Sequence, residues 1–273
     1  MNIYEKFFSL KTMWERKRAD IIKIQKHFYN YTGKIFIVSD VHIPFFDDVA
    51  VKKFFEIIQL EKPSNLIIAG DLINLDKFSE FLKLNRSVSI KKEIEKSREF
   101  CNIITKYCRN IYYLQSNHEL RISKYLSKRL GEDISEDIFD LGFSLTNLLK
   151  YNNLSIIDNW WVNIADVVIG HKEYGRTDTK NSIEKFINFF IPRIKNFNCA
   201  IAGHTHKQSK RFYNRVLGIE TGCLAKTQDY AISSNSLLYD VQYLGFVILK
   251  LFSGKTDFNE TNFYTIKIED YLL

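Results

Sequence analysis

Cys199-Ala200-Ile201-Ala202-Gly203-His204-Thr205-His206 joins an apolar run to two histidines one residue apart. The apolar half reads as a buried strand. Side chains two apart on a strand point to the same face, so His204 and His206 address one region wherever extended geometry persists that far. Two imidazoles at the end of a buried strand are costly unless something uses them. The chain holds six histidines, and the same pattern, a polar residue closing an apolar strand, recurs upstream.

Working outward, Lys34-Ile35-Phe36-Ile37-Val38-Ser39-Asp40 is a β-branched run that ends on an acid, with His42 two residues further on. Leu66-Ile67-Ile68-Ala69 runs into Gly70-Asp71, and Ile111-Tyr112-Tyr113-Leu114 into Ser116-Asn117-His118-Glu119. Between these strands, residues 48–60 have helical spacing closed by Pro63, and residues 76–108 read as mostly helical with a polar break near 85–89. That βαβαβ rhythm predicts parallel strands with crossover helices. Residues 120–150 read as helical and charged. Leu154–Ile157 and Trp161–Ile169 read as strands, the second ending at Gly170-His171, and helical spacing returns between Asn181 and Lys195. Beyond the opening motif the pattern becomes hairpin-like over Arg211–Ile219, Leu237–Phe252 and Asn262–Ile268.

No repeat, low-complexity tract or linker divides the chain, so one domain is expected over residues 34–273. Residues 1–33 form a basic helical segment ahead of it. The plain reading of that segment is a helix packed on the domain with a solvated basic face; the sharper one is an arm that grips a nucleic-acid backbone. With 45% hydrophobic and 26% charged residues the composition is that of an ordinary globular protein, and the net charge of +7 leans toward anionic partners. Cys101, Cys108, Cys199 and Cys223 form no CxxC pair and read as buried free thiols in a reducing, cytoplasmic setting. No apolar run reaches the length of a membrane span, and no signal pattern opens the chain.

In open α/β sheets, ligands gather at the carboxyl ends of strands. Here those ends supply Asp40, His42, Asp71, Asn117, His118, His171, His204 and His206. A single strand-terminal Asp is ordinarily a cap or turn residue, and a single His ordinarily structural. Eight such side chains on five successive loops are hard to explain that way. The mixed nitrogen and oxygen set suits a first-row transition metal better than calcium or a cysteine-rich structural zinc site.

Taken together, these blocks resemble the calcineurin-like metallophosphoesterases: Asp40-Val41-His42, Gly70-Asp71, Asn117-His118-Glu119, His171 and Gly203-His204-Thr205-His206 follow in the family's order across residues 34–223. Gly222-Cys223-Leu224 is similar to a stretch of some bacterial and phage-type members. The resemblance implies a two-sheet mixed β-sandwich flanked by helices, a four-layer αββα fold. It also implies two divalent metal ions, manganese foremost, with iron, zinc or nickel as alternatives. Asp40, His42, Asp71 and His206 would hold one ion, and Asp71, Asn117, His171 and His204 the other, with Asp71 shared. Two such ions clamp the attacking and leaving oxygens of a phosphoryl transfer. His118 would stabilise developing charge or protonate the leaving oxygen, and Glu119 would orient that ring.

Three positions depart from the pattern. Ser116 stands where the third block begins with Gly, Asn74 where the second continues to an acid, and Lys172 where Gly follows the lone His. No departure removes a ligand. Arg121 and Arg176 lie near the blocks and could meet a phosphate oxygen, although surface arginines are the plain reading. The expected function is hydrolysis of phosphate esters, leaning by charge to phosphodiesters such as nucleic acid. The alternatives are a phosphomonoesterase acting on a small molecule or protein, and a nucleic-acid-binding protein that keeps the fold without the activity. An Arg shortly after the second block, a mark of the serine/threonine phosphatases, is missing.

Overall fold

The computed structural model describes residues 18–79, 88–130, 148–171, 182–227 and 242–271. Residues 18–28 form helix α1. Then come β1 (Gly33–Val38), α2 (Asp48–Glu61), β2 (Asn65–Ile68), α3 (Ile90–Tyr107), β3 (Asn110–Leu114), α4 (Arg121–Leu130) and β4 (Leu154–Ile157). The second half supplies β5 (Trp161–Ile164), β6 (Val167–His171), α5 (Ser182–Phe190), β7 (Cys199–Gly203), β8 (Gln208–Tyr213) and β9 (Val216–Thr221). Last come β10 (Gly245–Phe252), β11 (Lys255–Thr256) and β12 (Asn262–Thr265).

Two sheets result. One runs β11-β10-β1-β2-β3-β4 with β12 also on β10, and the other runs β5-β6-β7-β9-β8. Strands β1 to β4 are parallel, as the crossover rhythm predicts, and β10 closes their edge antiparallel to β1. In the second sheet β6, β7 and β9 are parallel. Ile35, Ile37, Ile67 and Leu249 face Ile169, Ile201 and Ile219 in an inter-sheet core that also takes Ile24 and Phe28 of α1. Phe54, Ile58, Phe100 and Ile104 cover the outer face of the first sheet, and Phe186, Ile187 and Phe190 that of the second. The layers are therefore helix, sheet, sheet, helix.

Local chemistry sets the helix ends. Asp47 caps α2 by accepting the Ala50 N–H at 2.9 Å, and Lys62 ends it in a left-handed conformation just before Pro63. Ser89 caps α3. One expected element is corrected: residues 161–169 are a hairpin, β5 and β6, that turns at Ala165-Asp166. The turn carries no Gly or Asn, and the buried Asp166 holds it by accepting from Asn198 and Thr256. Among the described residues no helix is long and apolar enough to cross a membrane.

Candidate metal centre

Parallel pairing brings the carboxyl ends of β1, β2 and β3 to one edge, and those of β6 and β7 to the facing edge. Asp40, His42, Asp71, Asn117, His118, His171, His204 and His206 leave those ends. Five of the six histidines in the chain are thus gathered at one place, while His27 lies elsewhere on Asn65. Asp40, His42, Asp71 and His171 are each at most 1% exposed. The backbone is strained here: Asp40, His42, Asp71, His204 and His206 all have φ between 50° and 87°. For residues other than Gly that conformation costs on the order of 1 kcal/mol or more each, and such strain concentrates at functional sites.

The ligand atoms fall into overlapping groups that could hold a cation: Asp40, His42 and His206; Asp71, His171 and His204; and, between them, His42, Asp71 and His118. The His206 Nε2 lies 3.2 Å from Asp40 Oδ1, and the His171 Nε2 lies 3.1 Å from Asp71 Oδ2. Asp40 Oδ1, His171 Nε2 and Asn117 Oδ1 are buried without a hydrogen-bond partner. Buried ligand atoms left without a partner are what a cation site requires, and two of these, Asp40 Oδ1 and His171 Nε2, lie 3.9 Å apart.

Second contacts fix the tautomers. His171 Nδ1 meets the Ala69 carbonyl at 2.8 Å, and His42 Nδ1 meets Asn74 Oδ1 at 3.2 Å. A nitrogen facing a carbonyl oxygen carries a proton, so in the neutral ring, the form that binds a cation, the lone pair lies on Nε2 and faces the centre. The His42 and His206 Nε2 atoms then stand 3.1 Å apart, an arrangement that a shared cation relieves. Gln242 holds His206 Nδ1 at 2.8 Å. Asp40 accepts from Ser39 Oγ and, at 2.8 Å, from the His204 N–H. The residues present fit a dinuclear metal centre.

The electrostatics agree. Burial works to raise the carboxyls of Asp40 and Asp71, but the imidazoles around them hold both well below the usual range. Burial likewise works to lower His171, yet Asp71 and Asp40 push it up to about 10. Burial pushes His204 down to about 4.

Glu119 is corrected as the group that orients His118. Its carboxylate accepts from Tyr113 Oη at 2.5 Å and from the backbone N–H groups of Leu72 and Ser116 at 3.0 Å, so it organises the Asp71 loop from behind. The His118 ring rests instead on the Asn74 carbonyl, Nδ1 to O 2.7 Å. Arg121 joins it there, with Nη1 2.7 Å from the same carbonyl and 2.8 Å from Asp76, and Nη2 2.8 Å from His118 Nε2. Arg176 lies outside the described residues. Ser39, whose hydroxyl also meets Thr221 Oγ1 at 2.9 Å, and Gln242 escaped the sequence reading; each is a lone polar residue with no spacing to mark it.

A family described as calcineurin-like phosphoesterase matches residues 33–208, more than half of the chain. No curated protein matches. Among solved structures, wild-type Vps29 of Entamoeba histolytica complexed with Zn2+ aligns at 10% identity and TM-score 0.44, over 86% of this chain and 98% of that one. Vps29 of Chaetomium thermophilum gives 10%, 0.44, 86% and 96%, and an archaeal phosphodiesterase 20%, 0.41, 86% and 99%. With its five motif blocks converging on one cation-ready cluster, the chain belongs to the calcineurin-like phosphoesterase family.

Proposed function

We propose that the protein is a two-metal phosphoesterase that prefers phosphodiesters. Asp40, His42 and His206 would hold one cation, Asn117, His171 and His204 the other, and Asp71 would serve both. The observation that carries this reading is the set of buried, unpartnered ligand atoms on Asp40, Asn117 and His171. When bound, divalent cations such as manganese activate water and neutralise charge on the phosphoryl group.

The chain's own residues do the rest. Ser39 and the His204 N–H hold Asp40, Ser116 holds Asp71, and Asn74 turns His42. His118 has its proton on Nδ1, bound to Asn74, so its Nε2 is an acceptor met by Arg121. This favours the role of His118 as a positioning and charge-stabilising group, with Arg121 as the cation that meets a non-bridging phosphate oxygen. The lean to diesters, and to nucleic acid among them, rests on the net charge of +7. Four free buried cysteines suit work inside the cell, and Gly222-Cys223-Leu224 supports a place among bacterial or phage-type members.

Metal analysis of the purified protein, combined with rates on bis- and mono-p-nitrophenyl phosphate with added manganese, tests the proposal. Two ions per chain and faster diester cleavage are expected, and both activities should vanish in Asp71→Asn. A clear monoester preference removes the diester assignment. Two bound metals with no hydrolysis of any ester would leave the binding-protein reading instead.

A further inference from the structure

Glu93 lies in the first turn of α3, outside every motif block, and is buried to 1% exposure. Its Oε2 accepts the backbone N–H of Leu75 at 2.8 Å. Leu75 is itself buried and takes a left-handed conformation, φ 52° and ψ 36°. The N–H of Leu75 and the C=O of Asn74 belong to one planar peptide unit. The carbonyl side of that unit receives His118 Nδ1 and Arg121 Nη1, both at 2.7 Å. The Asn74 side chain, on the same residue, holds His42 Nδ1. One peptide plane is therefore gripped from both faces, and three groups of the metal centre depend on its orientation.

A carboxylate is an unusual choice for a buried backbone partner. Burial pushes Glu93 up to about 7 despite the Leu75 bond, with Asp76 adding to the rise and Arg121 and Lys77 opposing it. A neutral acceptor would satisfy the amide at less cost. What Glu93 supplies is an acceptor at the right reach, whose bond to the Leu75 N–H holds a left-handed, non-glycine residue in place.

We propose that Glu93 is a positioning residue of the metal centre: it locks the Asn74–Leu75 peptide and thereby orients His118, Arg121 and His42. Without it, the peptide can rotate, and the carbonyl that both His118 and Arg121 use turns away. The role rests on the phosphoesterase reading only where activity is the measurement.

The test uses the full chain loaded with manganese and the variants Glu93→Gln, Glu93→Met and Glu93→Asp. Gln keeps an acceptor at the same reach, Met removes it at similar volume, and Asp keeps the charge but withdraws it by one methylene. With bis-p-nitrophenyl phosphate, Glu93→Gln should keep kcat within about threefold of the parent, whereas Met and Asp should lose at least about tenfold in kcat with KM little changed. Two metals per chain should remain in all three. Glu93→Asp serves if Glu93→Met does not fold. Independently of activity, the His118 Nδ1 proton should give a protected resonance in the NMR spectrum of the metal-free parent and Glu93→Gln, and lose protection in Glu93→Asp. Unchanged kcat in Met and Asp, or equal loss in all three variants, would overturn the proposal. If the parent hydrolyses no ester, the activity reading fails, and the imidazole resonance alone decides the role of Glu93.

Discussion

The hydroxyl of Ser116 sits among Asp71 and Glu119: it accepts the Asp71 N–H at 2.9 Å and contacts both carboxylates. The family's usual Gly at this position could do none of this. Ser116 is not among the residues with positive φ, so the backbone does not require Gly here. Ser116→Ala strips a buried hydroxyl from two buried acids, and the loss should be about 1–3 kcal/mol of stability, read from urea unfolding; an unchanged midpoint would show the hydroxyl to be idle. Glu93 gives a second prediction at this scale, one of sign. Its carboxyl is raised on folding from an ordinary 4.5 to about 7, so the folded state binds the proton more tightly than the unfolded one. Its contribution is fully favourable below about 4.5 and is lost as pH rises through about 7, a change on the order of 3 kcal/mol. Asp76, Lys77 and Arg121 are the charges that face it. Relative to Glu93→Gln, the parent should therefore lose stability between about pH 5 and pH 8.5. Parallel stability curves for the two proteins over that range would refute the assignment.

The element that closes the centre is β7 with the loop after it. Gly203 ends the strand where the Ser39-Asp40 segment that follows β1 comes close: a Cβ there would lie 2.9 Å from Asp40 Oδ2 and 2.8 Å from Ser39 Cβ. Gly203→Ala should displace the Asp40 carboxylate, leave the sheet paired, and weaken manganese binding at the Asp40 position, measured by titration calorimetry. Full two-ion affinity in that variant would show that the close approach is dispensable. Such approaches also set what the sequence could disclose. Strand-end acids and histidines were legible because an apolar run followed by Asp or His is a local pattern. The layer order was legible from the crossover rhythm only with help from the family resemblance, since β10 reaches β1 from more than two hundred residues away. The turn at Ala165-Asp166 was not legible, because its stabiliser, the set of donors Asn198 and Thr256, comes from other elements. Gln242 and Glu93 act on the centre through contacts 36 and 18 residues distant, so spacing alone could not reveal them. Glu119 sat inside a motif, yet its direction is set by Tyr113 and the Asp71 loop, which no local reading supplies.

At the scale of the molecule, two sheets meet with their strand ends turned to one edge, and the meeting point holds two buried carboxylates and five imidazoles. Such a cluster is poorly satisfied by protein groups alone, since Asp40 Oδ1 and His171 Nε2 lack partners. The sandwich without cations should therefore be measurably weaker than the sandwich with them, because a ligand that binds only the folded state stabilises it by mass action. At a hundred times the dissociation constant this amounts to about 2.7 kcal/mol per site, or on the order of 5–10 °C in Tm for a chain of this size. With both sites filled, manganese should raise Tm by about twice that amount over the chelated protein, reversibly. Because Asp71 serves both ions in the proposed arrangement, Asp71→Asn should abolish most of the shift, while Asn117→Ala, which touches one ion only, should retain roughly half. A shift that survives intact in Asp71→Asn would break the sharing, and with it the assignment of the two ions to one bridged centre.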